Sequence, residues 1–96
     1  MEHPPSRDEA IQKAQLLISG ALDPVSIALW AEQLWYPENS QLSEELESRD
    51  PHLAAFMGTL SLAGAVNEAG GLLYGPEDFR QWLQEFTLEK SDEAAA

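Results

Sequence analysis

Apolar residues recur at intervals of three and four along most of this chain, which is the spacing of one face of an α-helix. Four runs show it most clearly: Ile11, Ala14, Leu17 and Ile18; Ile27, Ala31 and Leu34; Leu53, Phe56, Met57, Leu60 and Ala63; and Phe79, Trp82, Leu83 and Phe86. Each run supplies the apolar face that a helix buries against its neighbours. Because the runs are joined by short connections, the pattern predicts an all-α fold, a small four-helix bundle.

Each predicted helix begins at a recognisable start signal. Ser6 and Glu9 have the spacing of a capping box, in which each side chain accepts a hydrogen bond from the other's backbone N–H. Proline fits the first turn of a helix, because its missing N–H is not needed there. It occupies that place at the other three starts, Asp23-Pro24, Asp50-Pro51 and Gly75-Pro76. Gly20 suits the left-handed position that follows the end of a helix.

Two segments have weaker patterns. In the polar middle of the chain only Leu42 and Leu46 are apolar, and their spacing of four favours a short surface helix over about residues 40–48. The apolar run 72–74 lies between glycines and is too short to define a sheet by itself. It is interpreted either as a short extended segment near residues 71–75 or as an irregular loop packed on the bundle. The sequence leaves open whether it pairs as a strand.

The chain has 96 residues and no cysteine. Its length fits one helical domain, which we place at residues 6–88 between flexible tails of residues 1–5 and 89–96. The lack of cysteine excludes disulfides and makes a reducing compartment the natural setting. No apolar run reaches the roughly 20 residues of a membrane span, and the first residues lack the pattern of a signal peptide. These features predict a cytoplasmic protein.

The acidic balance of the chain restricts its partners. Seventeen Asp and Glu residues oppose five Lys and Arg residues, so the formal net charge is −12. Nucleic acids and anionic membranes would be repelled by such a surface. A basic protein partner would be attracted. The same charge also has an alternative interpretation, which is that it serves only to keep the protein in solution.

No motif in the sequence predicts catalysis or metal binding. His3 and His52 are the only histidines, and neither has the ligand spacing of a zinc or calcium site. No serine lies in a Gly-x-Ser-x-Gly setting, and Gly70-Gly71 lacks the lysine of a phosphate-binding loop. We therefore predict a protein that is not an enzyme and has no cofactor or metal. A pocket lined by His52 and several carboxylates would instead favour a small enzyme or ligand-binding protein.

Several short motifs, spread over most of residues 9–86, follow one another in a distinctive order. They are Leu16-Leu17-Ile18-Ser19-Gly20, Trp30-Ala31, the helix from Leu60 to Gly64, Leu73-Tyr74-Gly75-Pro76-Glu77-Asp78-Phe79 and Trp82-Leu83. In this order the motifs resemble those of small acidic bacterial immunity proteins, the inhibitors encoded beside bacteriocin and contact-dependent toxins. The resemblance implies a protein that neutralises a cognate toxin, often a nuclease, with carboxylates that stand in for substrate phosphates. The alternative is a general protein-interaction or regulatory helical domain whose partner is not toxic.

Acidic residues gather beside two aromatic residues in the middle of the chain. Trp35 and Tyr36 lie at a predicted helix end, where such residues serve either as lids of the core or as interface anchors. The predicted partner-binding residues are Trp35, Tyr36, Glu38, Glu44, Glu45, Glu47 and Asp50. A second candidate surface comprises Tyr74, Glu77 and Asp78. The predicted partner is a basic toxin domain, and the sequence leaves the oligomeric state open.

Overall fold

Five α-helices make up the fold in the computed structural model, which describes the backbone of residues 3–95 and the side chains of residues 3–88. The helices are α1 (Arg7–Ser19), α2 (Pro24–Glu32), α3 (Ser40–Arg49), α4 (Pro51–Leu60) and α5 (Pro76–Ala95). Two 3₁₀ turns, Gln33–Trp35 and Pro37–Asn39, connect α2 to α3. The all-α prediction is confirmed. The described part of the chain has five helices rather than four, because the weakly patterned surface segment forms α3.

The helices begin at side-chain caps. Ser6 Oγ accepts a hydrogen bond from the backbone N–H of Glu9 at 3.1 Å, at the start of α1. Asp23 accepts from two first-turn N–H groups of α2, and Asp50 accepts from one in α4. These bonds satisfy N–H groups that have no partner within their own helix. Gly20 follows α1 with a φ of +84°, a left-handed conformation that glycine adopts without strain.

The central helix of the core is α4. It contacts all four other helices, and half of its ten residues are buried. The remaining buried apolar side chains come from the other helices and their connections: Ala10, Ala14, Leu17, Ile27, Ala28, Ala31, Leu34, Leu46, Ala63, Phe79 and Phe86. Burial of this apolar surface is the main driving force for folding. The core therefore has one contiguous body, arranged around α4.

Two of the predicted apolar faces are only partly buried. In α1, Ile11 and Ile18 pack at the edge of the core, whereas Ala10 is fully buried. In α5, Trp82 and Leu83 also lie at the edge of the core. A spacing of three and four identifies a face of a helix only to within about one residue. The contacts with neighbouring helices decide which side of that face points inward.

A narrow hairpin connects α4 to α5. Val66 and Leu72 face each other as a single antiparallel pair, and two backbone hydrogen bonds of 2.8 Å flank them. At the tip, the side chain of Asn67 accepts from two backbone N–H groups, and Gly70 has a φ of +86°. The extended interpretation of residues 72–74 is therefore correct for one pair, and no longer strand forms within residues 3–95.

The predicted tails fall partly outside the described residues, which exclude Met1, Glu2 and Ala96. Pro5, the last residue of the predicted N-terminal tail, is fully buried. The backbone of residues 89–95 continues α5. The flexibility of residues 1–5 and 89–96 stays a prediction, as do the domain boundaries.

Replacing Leu46 by alanine tests whether α3 is docked on the core. Leu46 has 0% of its surface exposed, so Leu46→Ala should lower the free energy of unfolding by about 2–5 kcal/mol. The matched control is Leu88→Ala, because Leu88 is 53% exposed and should change stability by no more than about 0.5 kcal/mol. Both are measured by denaturant-induced unfolding. Equal effects of the two substitutions would show that α3 is not packed against the core.

Candidate functional site

Helix α3 separates its residues into an inner and an outer face. Ser43 and Leu46 are buried on the inner face. Glu44, Glu45 and Glu47 are all exposed. This division follows from a helix whose only strong apolar positions lie on one side, so that every carboxylate is turned toward solvent. Three of the seven predicted binding residues thus lie together on the outer side of one helix.

The three carboxylates of α3 differ in their surroundings. The carboxylate of Glu45 lies 3.7 Å from the guanidinium of Arg49, one turn further along the helix. Glu44 and Glu47 are three residues apart and therefore neighbours on the helix surface. Among the side chains described for residues 3–88, no basic group lies within 4.0 Å of either one. These two carboxylates form the uncompensated part of the helix.

The turns before α3 hold three more of the predicted residues. Glu38 is exposed and Tyr36 is partly buried. Asn39 is buried beneath them, where its Nδ2 donates to the carbonyl of Gln33 at 2.7 Å and its backbone N–H donates to the carbonyl of Tyr36 at 2.8 Å. Both bonds are made by the buried Asn39 and join residues of the same turn. The two bonds therefore stabilise the turn that carries Tyr36 and Glu38.

Trp35 is an exposed aromatic residue near α4. It is 40% exposed, and the Cη2 atom of its indole lies 3.8 Å from where a Cβ atom of Gly58 would be. The two interpretations left open by the sequence, a lid of the core and an interface anchor, both stay predictions. We refer to Trp35, Tyr36, Glu38, Glu44, Glu45 and Glu47 together as the acidic surface.

Asp50 has a structural role that separates it from the acidic surface. Its two carboxylate oxygens accept from Nε and Nη2 of Arg7 at 2.6 and 2.7 Å, and Oδ1 also accepts from the backbone N–H of Leu53 at 3.2 Å. The side chain is only 19% exposed. Its charge is balanced inside the fold, so Asp50 contributes little to an electrostatic surface. The partner, Arg7, lies 43 residues away in the sequence, and no local pattern could have indicated it.

The surroundings of Asp50 also set its pKa. Partial burial raises the pKa of this carboxyl group, but the hydrogen bond from Arg7 and the one from Leu53 lower it, as do the charges of Arg7 and His52. The lowering effects prevail, and the pKa lies below its ordinary value. Asp50 therefore remains ionised over a wider range of pH in the folded protein than in the unfolded chain.

The second predicted surface is occupied largely by structural contacts. The carboxylate of Asp78 accepts from the backbone N–H of Gly75 at 2.9 Å, which helps to begin α5. The ring of Tyr74 meets Trp82 edge-on, with 5.0 Å between centroids. Of the three residues, only Glu77 is exposed. This region therefore presents one carboxylate, compared with four on the acidic surface.

A cleft between α4 and α5 was not predicted. Its volume is about 140 Å³, and the lining residues with polar or aromatic side chains are His52, Phe56, Thr59, Trp82, Glu85 and Phe86. The rings of Phe56 and Phe86 stack at 4.2 Å, and His52 stacks on Phe86 at 4.7 Å. Periodicity alone could not reveal this cleft, because it depends on how two helices are placed side by side.

The chemistry of the cleft is simple. Only one carboxylate, that of Glu85, lines it together with His52, whereas the enzyme alternative depends on several. Across the described part of the chain, no three His, Asp or Glu side chains are grouped as metal ligands. None of the helices in residues 3–95 is at once long and apolar enough to span a bilayer. The absence of catalysis, cofactor and metal stays a prediction.

Comparison with known proteins yields no match to this chain among protein-family models, curated proteins or solved structures. The resemblance to immunity proteins therefore depends on the sequence motifs alone. The functional interpretation has to be argued from the surfaces of this molecule.

Replacing Asp50 tests its structural role. At pH 7, Asp50→Asn should lower the free energy of unfolding by about 1.5–3 kcal/mol, the value of hydrogen bonds to charged groups. Because the pKa of Asp50 is lowered on folding, its ionised form stabilises the protein above the ordinary value of 3.8, and this contribution is lost as the pH falls through the folded-state pKa. The difference between the two proteins should therefore shrink on acidification.

Unfolding in denaturant at a series of pH values measures this difference. Glu45→Gln is the matched control, since it breaks the exposed pair with Arg49 and should cost no more than about 0.5 kcal/mol. If Asp50→Asn costs no more than Glu45→Gln at pH 7, the assignment of Asp50 to the framework is wrong.

Proposed function

We propose that this protein binds a basic protein through its acidic surface, and that the bound protein is a toxin which it neutralises. The observation that carries the proposal is the set of exposed carboxylates Glu38, Glu44 and Glu47, which have no basic group within 4.0 Å among the described side chains. The motif order that resembles bacterial immunity proteins supports the choice of a toxin.

The distribution of charge along the chain favours attraction of a basic partner. Between residues 14 and 79 there are ten Asp and Glu residues but a single basic residue, Arg49. That residue lies beside Glu45, so its charge does not offset the others. Uncompensated charge of one sign steers an oppositely charged protein toward the surface and speeds its association.

Trp35 supplies an anchor at the edge of this charge. Large aromatic side chains at the centre of an interface commonly contribute most of the binding energy, whereas charged groups around them set orientation and association rate. The indole of Trp35 is 40% exposed, so a partner can cover a large part of its apolar surface.

The nature of the toxin follows from the same chemistry. A nuclease binds the phosphates of its substrate in a basic cleft, and a row of carboxylates on a rigid helix presents a similar pattern of negative charge. Glu44 and Glu47 are three residues apart, so they are neighbours on the surface of α3, and both are exposed to solvent. In this proposal they occupy the part of the toxin that would otherwise bind nucleic acid.

The test uses the product of the neighbouring gene as the candidate partner. Glu44→Lys combined with Glu47→Lys should slow its association by about tenfold or more at low salt, and by less at high salt. The matched control combines Asp8→Lys with Glu68→Lys, two exposed positions on α1 and the hairpin. It changes the net charge equally, so it separates a local contact from a general loss of charge.

Association rates are measured by stopped-flow or surface plasmon resonance at several salt concentrations. Equal slowing by both double variants would contradict the assignment to α3. Co-expression in bacteria then examines neutralisation: the wild-type protein should protect cells from the partner, and the α3 variant should protect them less. A partner that binds but harms no cell would point to the general interaction domain instead.

A further inference from the structure

Three stacked side chains line part of the cleft between α4 and α5. Phe86 stacks on Phe56 and on His52, and its backbone carbonyl accepts from Nε2 of His52 at 3.0 Å. These contacts connect the two helices. Seven residues separate His52 from Thr59 along α4, so the wall of the cleft extends for about 10 Å. The remaining surface lies toward Thr59 and the facing part of α5.

The open part of the cleft presents an indole and a carboxylate. Trp82 is partly buried and is held by Tyr74 and Phe79, whose ring centroids lie 5.0 and 5.3 Å from its own. Glu85, one turn further along α5, is exposed, and its Oε1 accepts from Nε2 of Gln81 at 3.0 Å. This bond uses one lone pair of Oε1, so Oε2 and the second lone pair of Oε1 can still accept from a ligand. Trp82 and Glu85 thus stand side by side at the mouth of the cleft.

The α4 side contributes a further acceptor. The hydroxyl of Thr59 donates to the carbonyl of Ala55 at 3.2 Å, so its oxygen can still accept a hydrogen bond. The mouth of the cleft therefore combines an aromatic surface with two acceptors, Glu85 and Thr59. It matches a ligand that is flat, rich in N–H donors and positively charged.

These features distinguish between classes of ligand. An anion would be repelled by Glu85 and by the strongly negative protein. A neutral apolar group would remove water from the Glu85 carboxylate without giving it a hydrogen-bond partner, which costs free energy. A guanidinium group stacks on an indole and also donates two parallel hydrogen bonds to a carboxylate, whereas a lysine ammonium is a strongly hydrated point charge with no flat face. The aliphatic part of an arginine would lie along the three stacked side chains.

We infer that the cleft between α4 and α5 binds the side chain of an arginine. The idea that this arginine comes from the basic partner rests on the proposed function, but the preference of the cleft for a guanidinium does not. It would place a second contact on α5, separate from the acidic surface on α3, and would give the partner a specific side chain to insert.

The preference is measured on the isolated protein with small probes. Titration with N-acetyl-arginine amide, followed by nuclear magnetic resonance, should give saturable shifts of the Trp82 indole N–H and of the backbone amides that line the cleft. The analogous citrulline amide, which has the same shape without the charge, should bind at least about tenfold more weakly, because its hydrogen bonds to Glu85 are no longer charge-assisted on both sides. The lysine amide should also bind more weakly.

Two substitutions locate the site. Glu85→Gln should weaken the binding of arginine amide by at least about fivefold, since a charge-assisted pair is lost. Glu68→Gln is the matched control: it removes one exposed carboxylate from the hairpin, outside the cleft and the acidic surface, and should leave the binding unchanged. Ala55 is exposed and lines the cleft, so Ala55→Met should narrow it and reduce binding without disturbing the core.

The outcomes are distinct. Equal binding of arginine and citrulline amides, shifts spread over all acidic residues, or an unchanged affinity in Glu85→Gln would overturn the inference. The proposed function would be unaffected by such a result if the α3 double variant still slowed association with the partner. Conversely, a specific arginine site would remain if the candidate partner failed to bind.

Discussion

The arrangement of the helices depends on the carboxylate of Asp50, which has two structural roles. Asp50 begins α4 by capping it and at the same time holds Arg7, in the first turn of α1, with both oxygens. Because α4 contacts every other helix, its first turn is also the point at which the N-terminal helix is attached. The guanidinium of Arg7 lies 5.3 Å from the centre of the Phe86 ring, which brings α5 to the same junction.

Most of the basic side chains described for residues 3–88 lie near other side chains of the same molecule. Arg7 is paired with Asp50, Arg49 lies beside Glu45, and the ammonium of Lys13 is 5.2 Å from the centre of the Trp30 ring. Three of the four basic side chains described for residues 3–88 therefore already have contacts within the molecule. The negative charge that gives the net value of −12 therefore lies mainly on the surface of the protein. The proposed interaction with a basic protein depends on this surface charge.

Local signals in the sequence were enough for the helices but not for the site. Capping residues and apolar spacing act within one or two turns, so the start of α1 at Ser6 and the apolar residues of α4 could be recognised. The pairing of Asp50 with Arg7 joins distant parts of the chain, so no local signal distinguishes Asp50 from the neighbouring acidic residues that are predicted to bind a partner. The cleft beside Trp82 depends on the packing of α4 against α5, and its outline therefore required the structure.

The position of Trp35 near Gly58 has a consequence for the proposed binding of a partner. Gly58 lies on the side of α4 near Trp35, and the next residue, Thr59, lines the cleft, at an angle of about 100° around α4. The acidic surface and the cleft are thus close to the same turn of α4. Once a partner has bound one of the two, its contact with the other is intramolecular. The rigid fold of this protein then sets a high effective concentration for that second contact. Two individually weak contacts then combine into avidity, as for a bivalent ligand.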